Sequence, residues 1–248
     1  MTTLNPHDLQ WAMTRLPKAV VTALKANAGR VFIAGGFIRA VVANEPVNDF
    51  DLFVPSFEAA TVLAMQLAEG DPHRIYKTDN AYTIRGYKLP IQIIFRWTYD
   101  TPEACIQSFD FTIAQALIYY AEGLPGHGTE GVWHSVIADT FYADLAAKRL
   151  VYTSPMRNED AGGSILRVLK FYQRGYRIPL CSLGAVIGRL LRGVEAINWE
   201  KRHTMPLDQW EQQMGHVLTG LLREVDPAID PEHLAHLPSS KAPEGAQA

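Results

Sequence analysis

Cysteine is nearly absent. Cys105 and Cys181 are the only two in 248 residues. Neither has metal-type spacing, so a disulfide framework or zinc site is not expected. Two histidine pairs, His127/His134 and His233/His236, lack a third ligand at zinc spacing. Long apolar runs are also missing. Leu183 to Leu191 is broken by Arg189, so no membrane span or membrane partner is expected. The start, Met1-Thr2-Thr3-Leu4-Asn5-Pro6, has no basic segment leading into an apolar one, and no secretory signal is expected. These features predict a cytoplasmic protein. The formal net charge of −3 shows no basic excess, so nucleic-acid binding would need a local patch. No Walker motif and no G-x-G-x-x-G occurs, which excludes P-loop and Rossmann sites.

Residues 33–54 carry the densest pattern. Val31 to Ala34 is apolar and ends in Gly35-Gly36, which opens a short helix at Phe37 to Asn44. Glycines at a helix start let phosphate approach free backbone N–H groups. Arg39, in the first turn, is a forked cation suited to phosphate or carboxylate. Next comes an alternating run, Asn48-Asp49-Phe50-Asp51-Leu52-Phe53-Val54. In a strand, Asp49 and Asp51 share one face, with Cα atoms roughly 6–7 Å apart. Two such carboxylates can hold Mg²⁺ ions about 4 Å apart for in-line phosphoryl transfer.

Elsewhere, residues 6–26 read as two helices broken at Leu16-Pro17. Ser56 caps a helix from Phe57 to about Glu69. Strands are predicted at 73–77, 81–87, 89–97 and 132–137, and an apolar run at 111–120. Thr101-Pro102-Glu103 starts a helix to Ser108, 123–128 is a turn, and Asp139 is expected to cap a helix to about Arg149. From Asn158 onward only helices are predicted, near 158–175, 182–197, 206–225 and 231–236. The expected division is 1–155, 156–237 and a disordered tail at 238–248. On the 158–175 helix, Arg167, Lys170 and Arg174 line one face, opposite Ile165, Val168, Leu169 and Tyr172. This basic stripe suits a triphosphate or a nucleic-acid backbone.

Gly35-Gly36-x-x-Arg39 followed by Asp49-x-Asp51 resembles the signature of the polymerase-beta-like nucleotidyltransferase superfamily. Three later stretches extend the likeness: Ser108-Phe109-Asp110-Phe111-Thr112-Ile113, Asp144-Leu145-Ala146-Ala147-Lys148, and Glu159-Asp160 before Ile165-Leu166-Arg167. In this order they resemble the head domain of class II CCA-adding tRNA nucleotidyltransferases and bacterial poly(A) polymerases, over roughly residues 30 to 178. The resemblance implies a mixed α+β fold: a nucleotidyltransferase head with a small mixed sheet flanked by helices, then a short all-helical C-terminal domain. It also implies Mg²⁺ on Asp49 and Asp51; Asp110 is the candidate for a third catalytic carboxylate, its other reading being a ribose contact or a hydrogen bond at a helix–strand junction. An NTP would lie against Gly35, Gly36, Arg39, Arg167 and Lys170. A nucleoside monophosphate would pass to an acceptor hydroxyl, on an RNA 3′ end (tRNA-like), a protein or a small molecule, releasing pyrophosphate.

Three departures accompany the likeness. The family's Arg-Arg before Asp110 is Ser108-Phe109 here, its base-reading Arg falls on Ser164, and the strand that often carries a third carboxylate offers Gln92. They leave a second expectation: a catalytically degenerate module of the same fold that binds nucleotide or RNA.

Overall fold

The computed structural model describes residues 1–121, 131–155, 161–193 and 204–223. The turn expected at 123–128, the helix at 231–236 and the tail lie outside the described residues. Chain contacts divide the protein into two units, 1–156 with 175–183, and 157–174 with 184–248.

The first unit is built on seven strands: β1 (Phe32–Ala34), β2 (Phe50–Phe53), β3 (Ile75–Lys77), β4 (Ala81–Ile84), β5 (Ile91–Ile94), β6 (Ala116–Ala121) and β7 (Val132–Ile137). Their order in the sheet is β3-β4-β5-β2-β1-β6-β7. Every neighbouring pair is antiparallel except β2 and β5, which run parallel. The sheet is therefore mixed, as expected from the sequence.

Six helices belong wholly to this unit: α1 (Pro6–Arg15), α2 (Lys18–Ala26), α3 (Gly36–Val42), α4 (Phe57–Leu67), α5 (Pro102–Gln107) and α6 (Phe141–Ala146). Period-2 alternation assigns the two sheet faces. Phe50 meets Phe37 of α3, ring centroids 5.2 Å apart. Tyr82, in register with Ile93, bonds Thr61 of α4 at 3.2 Å. So α3 and α4 cover the face bearing Phe50, Leu52, Ile93 and Tyr82, all buried. The other face bears Asp51, Phe53, Gln92 and Thr83. Phe53 there joins a buried cluster with Phe32, Ala34, Leu117 and Cys105 of α5. That cluster covers the β1–β6 side of the face. Asp51, Gln92 and Thr83 are left half-buried.

Local chemistry explains most boundaries. Ser56 and Thr101 accept from Ala59 N–H and Ala104 N–H, capping α4 and α5. The 111–120 run divides into a 3-10 turn at Thr112–Ala114 and β6. The 73–77 strand begins with another such turn at Pro72–Arg74. Asp139 is not the cap of α6. The cap position is Thr140, without a side-chain bond, and Asp139 pairs with the terminal ammonium of Met1 at 2.7 Å. The helix also stops early, because Lys148 turns to φ 48.

In the second unit, α7 (Ala161–Gln173) lies beside α9 (Leu207–Arg223). Trp210 of α9 is buried, with Met205, Met214 and Val217 against it. Between them in sequence runs α8 (Leu180–Gly193), whose residues 180–183 count with the first unit. The buried stripe of α7 is Ser164, Val168 and Phe171, while Leu169 and Tyr172 are 57% and 59% exposed. The expected apolar face was thus displaced by about one residue. Ser164, Val168 and Phe171 stand at i, i+4 and i+7, as do Ile165, Leu169 and Tyr172, so helical spacing alone does not choose between the two stripes. No described helix is long and apolar enough to cross a membrane.

Candidate active site

Asp49 immediately precedes β2 and Asp51 lies within it. Both are half-buried and flank the buried Phe50. Phe50 N–H donates to the Pro90 carbonyl at 3.0 Å, holding the start of the strand against β5. Since Phe50 faces α3, Asp51 faces away from it, on the opposite side of the sheet. The parallel register sets Asp51 beside Gln92. Sequence reading identified Gln92 as the residue on the neighbouring strand, but only the pairing shows it to be Asp51's direct neighbour.

Among the described residues no group of three or more His, Cys, Asp or Glu gathers as a metal site. Two carboxylates fit Mg²⁺ nonetheless. Mg²⁺ takes hard oxygen donors and is commonly held by one or two carboxylates plus substrate phosphates, rather than by an all-protein cage.

The two glycines have different jobs. Gly35 is buried, with φ 80, and its N–H donates to the Ala116 carbonyl at 2.8 Å. A Cβ here would stand 3.0 Å from the ring of Phe109. Gly35 therefore serves the backbone turn and close packing. Gly36, the first residue of α3, is half-exposed, and a Cβ on it would meet nothing within 4 Å. It is the glycine that a phosphate could approach.

Arg39 is only 4% exposed, and its Nη1 lies 3.2 Å from Glu45 Oε2. The other Glu45 oxygen accepts from the Tyr176 hydroxyl at 3.1 Å. Tyr176 is fully buried. Burial first, then the Glu45 charge, push its pKa up to about 12. This triad ties α3 to the loop leading into Asp49 and to the returning segment 175–183. Glu45 and Tyr176 went unrecognised in the sequence, since no motif or spacing marks a partner about 130 residues away.

Asp110 is buried at the turn after α5, and its carbonyl accepts from Thr153 N–H at 2.9 Å. The Phe109 carbonyl takes the Thr153 hydroxyl at 2.6 Å and the Gln115 amide at 3.3 Å. These bonds fix the turn and lay the Phe109 ring on Gly35 and edge-on to Phe53, centroids 5.6 Å apart. The place where the resembled family carries Arg-Arg thus holds an aromatic ring packed on the glycine turn. Asp144 is fully buried and accepts from Thr112, Thr140 and Arg149 at 2.6–2.8 Å. It braces the 112–114 turn against α6. Arg167 and Lys170 stand on α7 in the second unit, Arg167 half-buried and Lys170 exposed.

A family model for Gad2, described as Gabija anti-defense 2 family protein, matches residues 7–148. No curated protein matches the chain. Among solved structures, the Thermotoga maritima CCA-adding enzyme complexed with tRNA-CCA is similar, at 18% identity and a TM-score of 0.54, covering 78% of this chain and 47% of that one. A CCA-adding enzyme with CTP gives 19% identity and TM-score 0.53, over 75% and 44% of the two chains. A CCA-adding enzyme with ATP gives 20% identity and TM-score 0.53, over 74% and 44% of the two chains. The chain spans less than half the length of these enzymes. It has the polymerase-beta-like nucleotidyltransferase fold.

Proposed function

The chain belongs to the Gabija anti-defense 2 family, and from that membership and the fold we propose that it is a Mg²⁺-dependent nucleotidyltransferase. It would move a nucleoside monophosphate from an NTP to an acceptor oxygen, with release of pyrophosphate. The observation that carries this reading is the pair Asp49 and Asp51, half-buried at the head of β2 on the sheet face opposite α3.

Asp49 and Asp51 would hold Mg²⁺ through their carboxylate oxygens. When bound, the ion neutralises charge on the phosphates and favours in-line displacement. Gly36 leaves room for a phosphate beside the start of α3. The Arg39–Glu45–Tyr176 triad would keep α3 and the Asp49 loop in place, so that substrate oxygens arrive aligned. Asp110 would hold the turn carrying Phe109, and Arg167 and Lys170 would offset triphosphate charge. The acceptor could be an RNA 3′ end, a protein or a small molecule. The family description makes a component of the defence it opposes the expected target, met in the cytoplasm.

A second reading rests on Gln92 beside Asp51 and Phe109 over Gly35: a module that binds nucleotide or RNA without transfer. One experiment separates the two. The purified chain is incubated with each α-labelled NTP, Mg²⁺ and a cell extract, and RNA, protein and small molecules are separated. Label in one fraction, lost in Asp49→Ala/Asp51→Ala, supports transfer. NTP binding without transfer supports the second reading.

A further inference from the structure

Beyond Asp51 the row of residues on the sheet face opposite α3 stays polar. Registers set Asp51, Gln92, Thr83 and Tyr76 side by side across β2, β5, β4 and β3. At about 4.8 Å per strand the row runs about 14 Å. Arg85 follows Thr83 by two residues, so it shares this face and is a diagonal neighbour of Gln92, roughly 7–8 Å away. Gln92 and Thr83 are half-buried, and neither side chain hydrogen-bonds among the described residues. Arg85 makes no ion pair among them; its guanidinium lies 5.1 Å from the ring centroid of Tyr76, which is 53% exposed.

The row beyond Asp51 therefore offers an amide, two hydroxyls and a cation, with no carboxylate. Gln92 cannot take a proton from an acceptor, and it does not repel an anion. An alcohol acceptor would have to lose a proton as it attacks. A phosphate monoester has ionised oxygens at neutral pH, its second pKa being about 6. Resting on the nucleotidyltransferase reading, we propose that this row is the acceptor subsite and that the acceptor is a phosphate monoester. Gln92 and Thr83 donate to its oxygens, and Arg85 turns from Tyr76 to neutralise its charge. An ionised acceptor oxygen forms a bond to the α-phosphorus of the NTP. The bond from that phosphorus to the bridging oxygen breaks, and its electron pair leaves on pyrophosphate. The product is a phosphoanhydride, and no proton need be removed.

The test uses the full chain with α-labelled NTP, Mg²⁺ and two probes, ribose 5-phosphate and a 5′-phosphorylated oligoribonucleotide, each beside its dephosphorylated form. Label is expected only with the phosphorylated probes, in a product that resists phosphatase and is cleaved by a nucleotide pyrophosphatase. Equal labelling of the dephosphorylated probes, or label at a 3′ hydroxyl, overturns the proposal. Gln92→Glu places a third negative charge beside the acceptor and is expected to slow transfer roughly tenfold or more; an unchanged rate overturns it. If no probe is labelled, the transfer reading fails, and the subsite is judged by ribose 5-phosphate binding followed by NMR. Binding weakened roughly tenfold in both Arg85→Ala and Thr83→Val upholds the subsite. No binding by the unaltered chain, or equal affinity in the variants, overturns it.

Discussion

At Asp144, burial alone would raise the pKa. Hydrogen bonds from Thr112, Thr140 and Arg149, with the Arg149 charge, outweigh burial and hold it below the ordinary carboxylate value. The folded state thus favours the ionised form. Its contribution is complete above the unfolded value of about 3.9 and is lost as pH falls through the lower folded value. Asp144→Ala is expected to cost about 2–4 kcal/mol, the upper range being reduced because the Arg149 side chain is half-exposed. Urea unfolding from pH 7 to pH 3 checks both points, since Asp144→Asn should flatten the acid limb. Asp51 stands in contrast. It is half-buried, and on the proposed function Asp51→Ala is expected to abolish transfer while leaving the urea midpoint nearly unchanged. Gly35→Ala forces φ 80 with ψ −127, a sparsely populated backbone region, on a residue with a Cβ, which costs about 1–3 kcal/mol, and also crowds Phe109. Adding Phe109→Ala should relieve the crowding but not the backbone strain, and a double-mutant cycle measures the difference.

Among the elements, α3 has only seven residues, too short to persist alone. The Phe37–Phe50 contact and the Arg39–Glu45 pair secure it between the glycine turn and β2. Ser56, at the start of α4, offers a clean separation of roles, because its hydroxyl caps Ala59 N–H at 3.1 Å. Ser56→Ala should cost about 1 kcal/mol and Ser56→Gly only a few tenths. If the hydroxyl only caps, neither change alters NTP affinity. Equal losses of affinity in both would instead assign it to phosphate. Such caps were legible in the sequence, because Ser56 and Thr101 act within three residues of themselves. The Thr140 start of α6 was not, because its neighbour Asp139 is the better capping residue by type and is drawn away by Met1.

For the whole molecule, the returning segment 175–183 matters most. Leu150 N–H donates to the Arg177 carbonyl, and Arg177 N–H to the Lys148 carbonyl, both at 2.8 Å. Tyr176 fills the first unit beneath Glu45. A chain ending at Pro155 should therefore lose at least the about 3–5 kcal/mol of a large buried aromatic side chain. Urea unfolding of the shortened chain beside Tyr176→Ala checks this. The raised pKa of Tyr176 adds a pH dependence of opposite sign to that of Asp144. Its contribution is present below the unfolded value of about 10 and is lost as pH rises through about 12. Full-chain stability measured between pH 9 and pH 12 should fall less steeply in Tyr176→Phe.

What the sequence by itself determined is local. Gly35-Gly36 closes a strand, Asp49 and Asp51 bracket Phe50 on an alternating run, and β7 occupies 132–137 as expected. These follow from steric freedom at glycine, period-2 alternation and capping, which act over a few residues. The tertiary structure decided which faces and partners meet. Alternation put both aspartates on one face of a strand. It did not say that α3 covers the opposite face, that Gln92 stands beside Asp51, or that Phe109 lies on Gly35. Nor did it reveal that Arg39, expected at a phosphate, is buried against Glu45 under Tyr176. Those pairings join residues 6 to 131 positions apart in the chain. Their energy comes from burying apolar surface and satisfying buried charge, terms that exist only once the strands and helices have assembled.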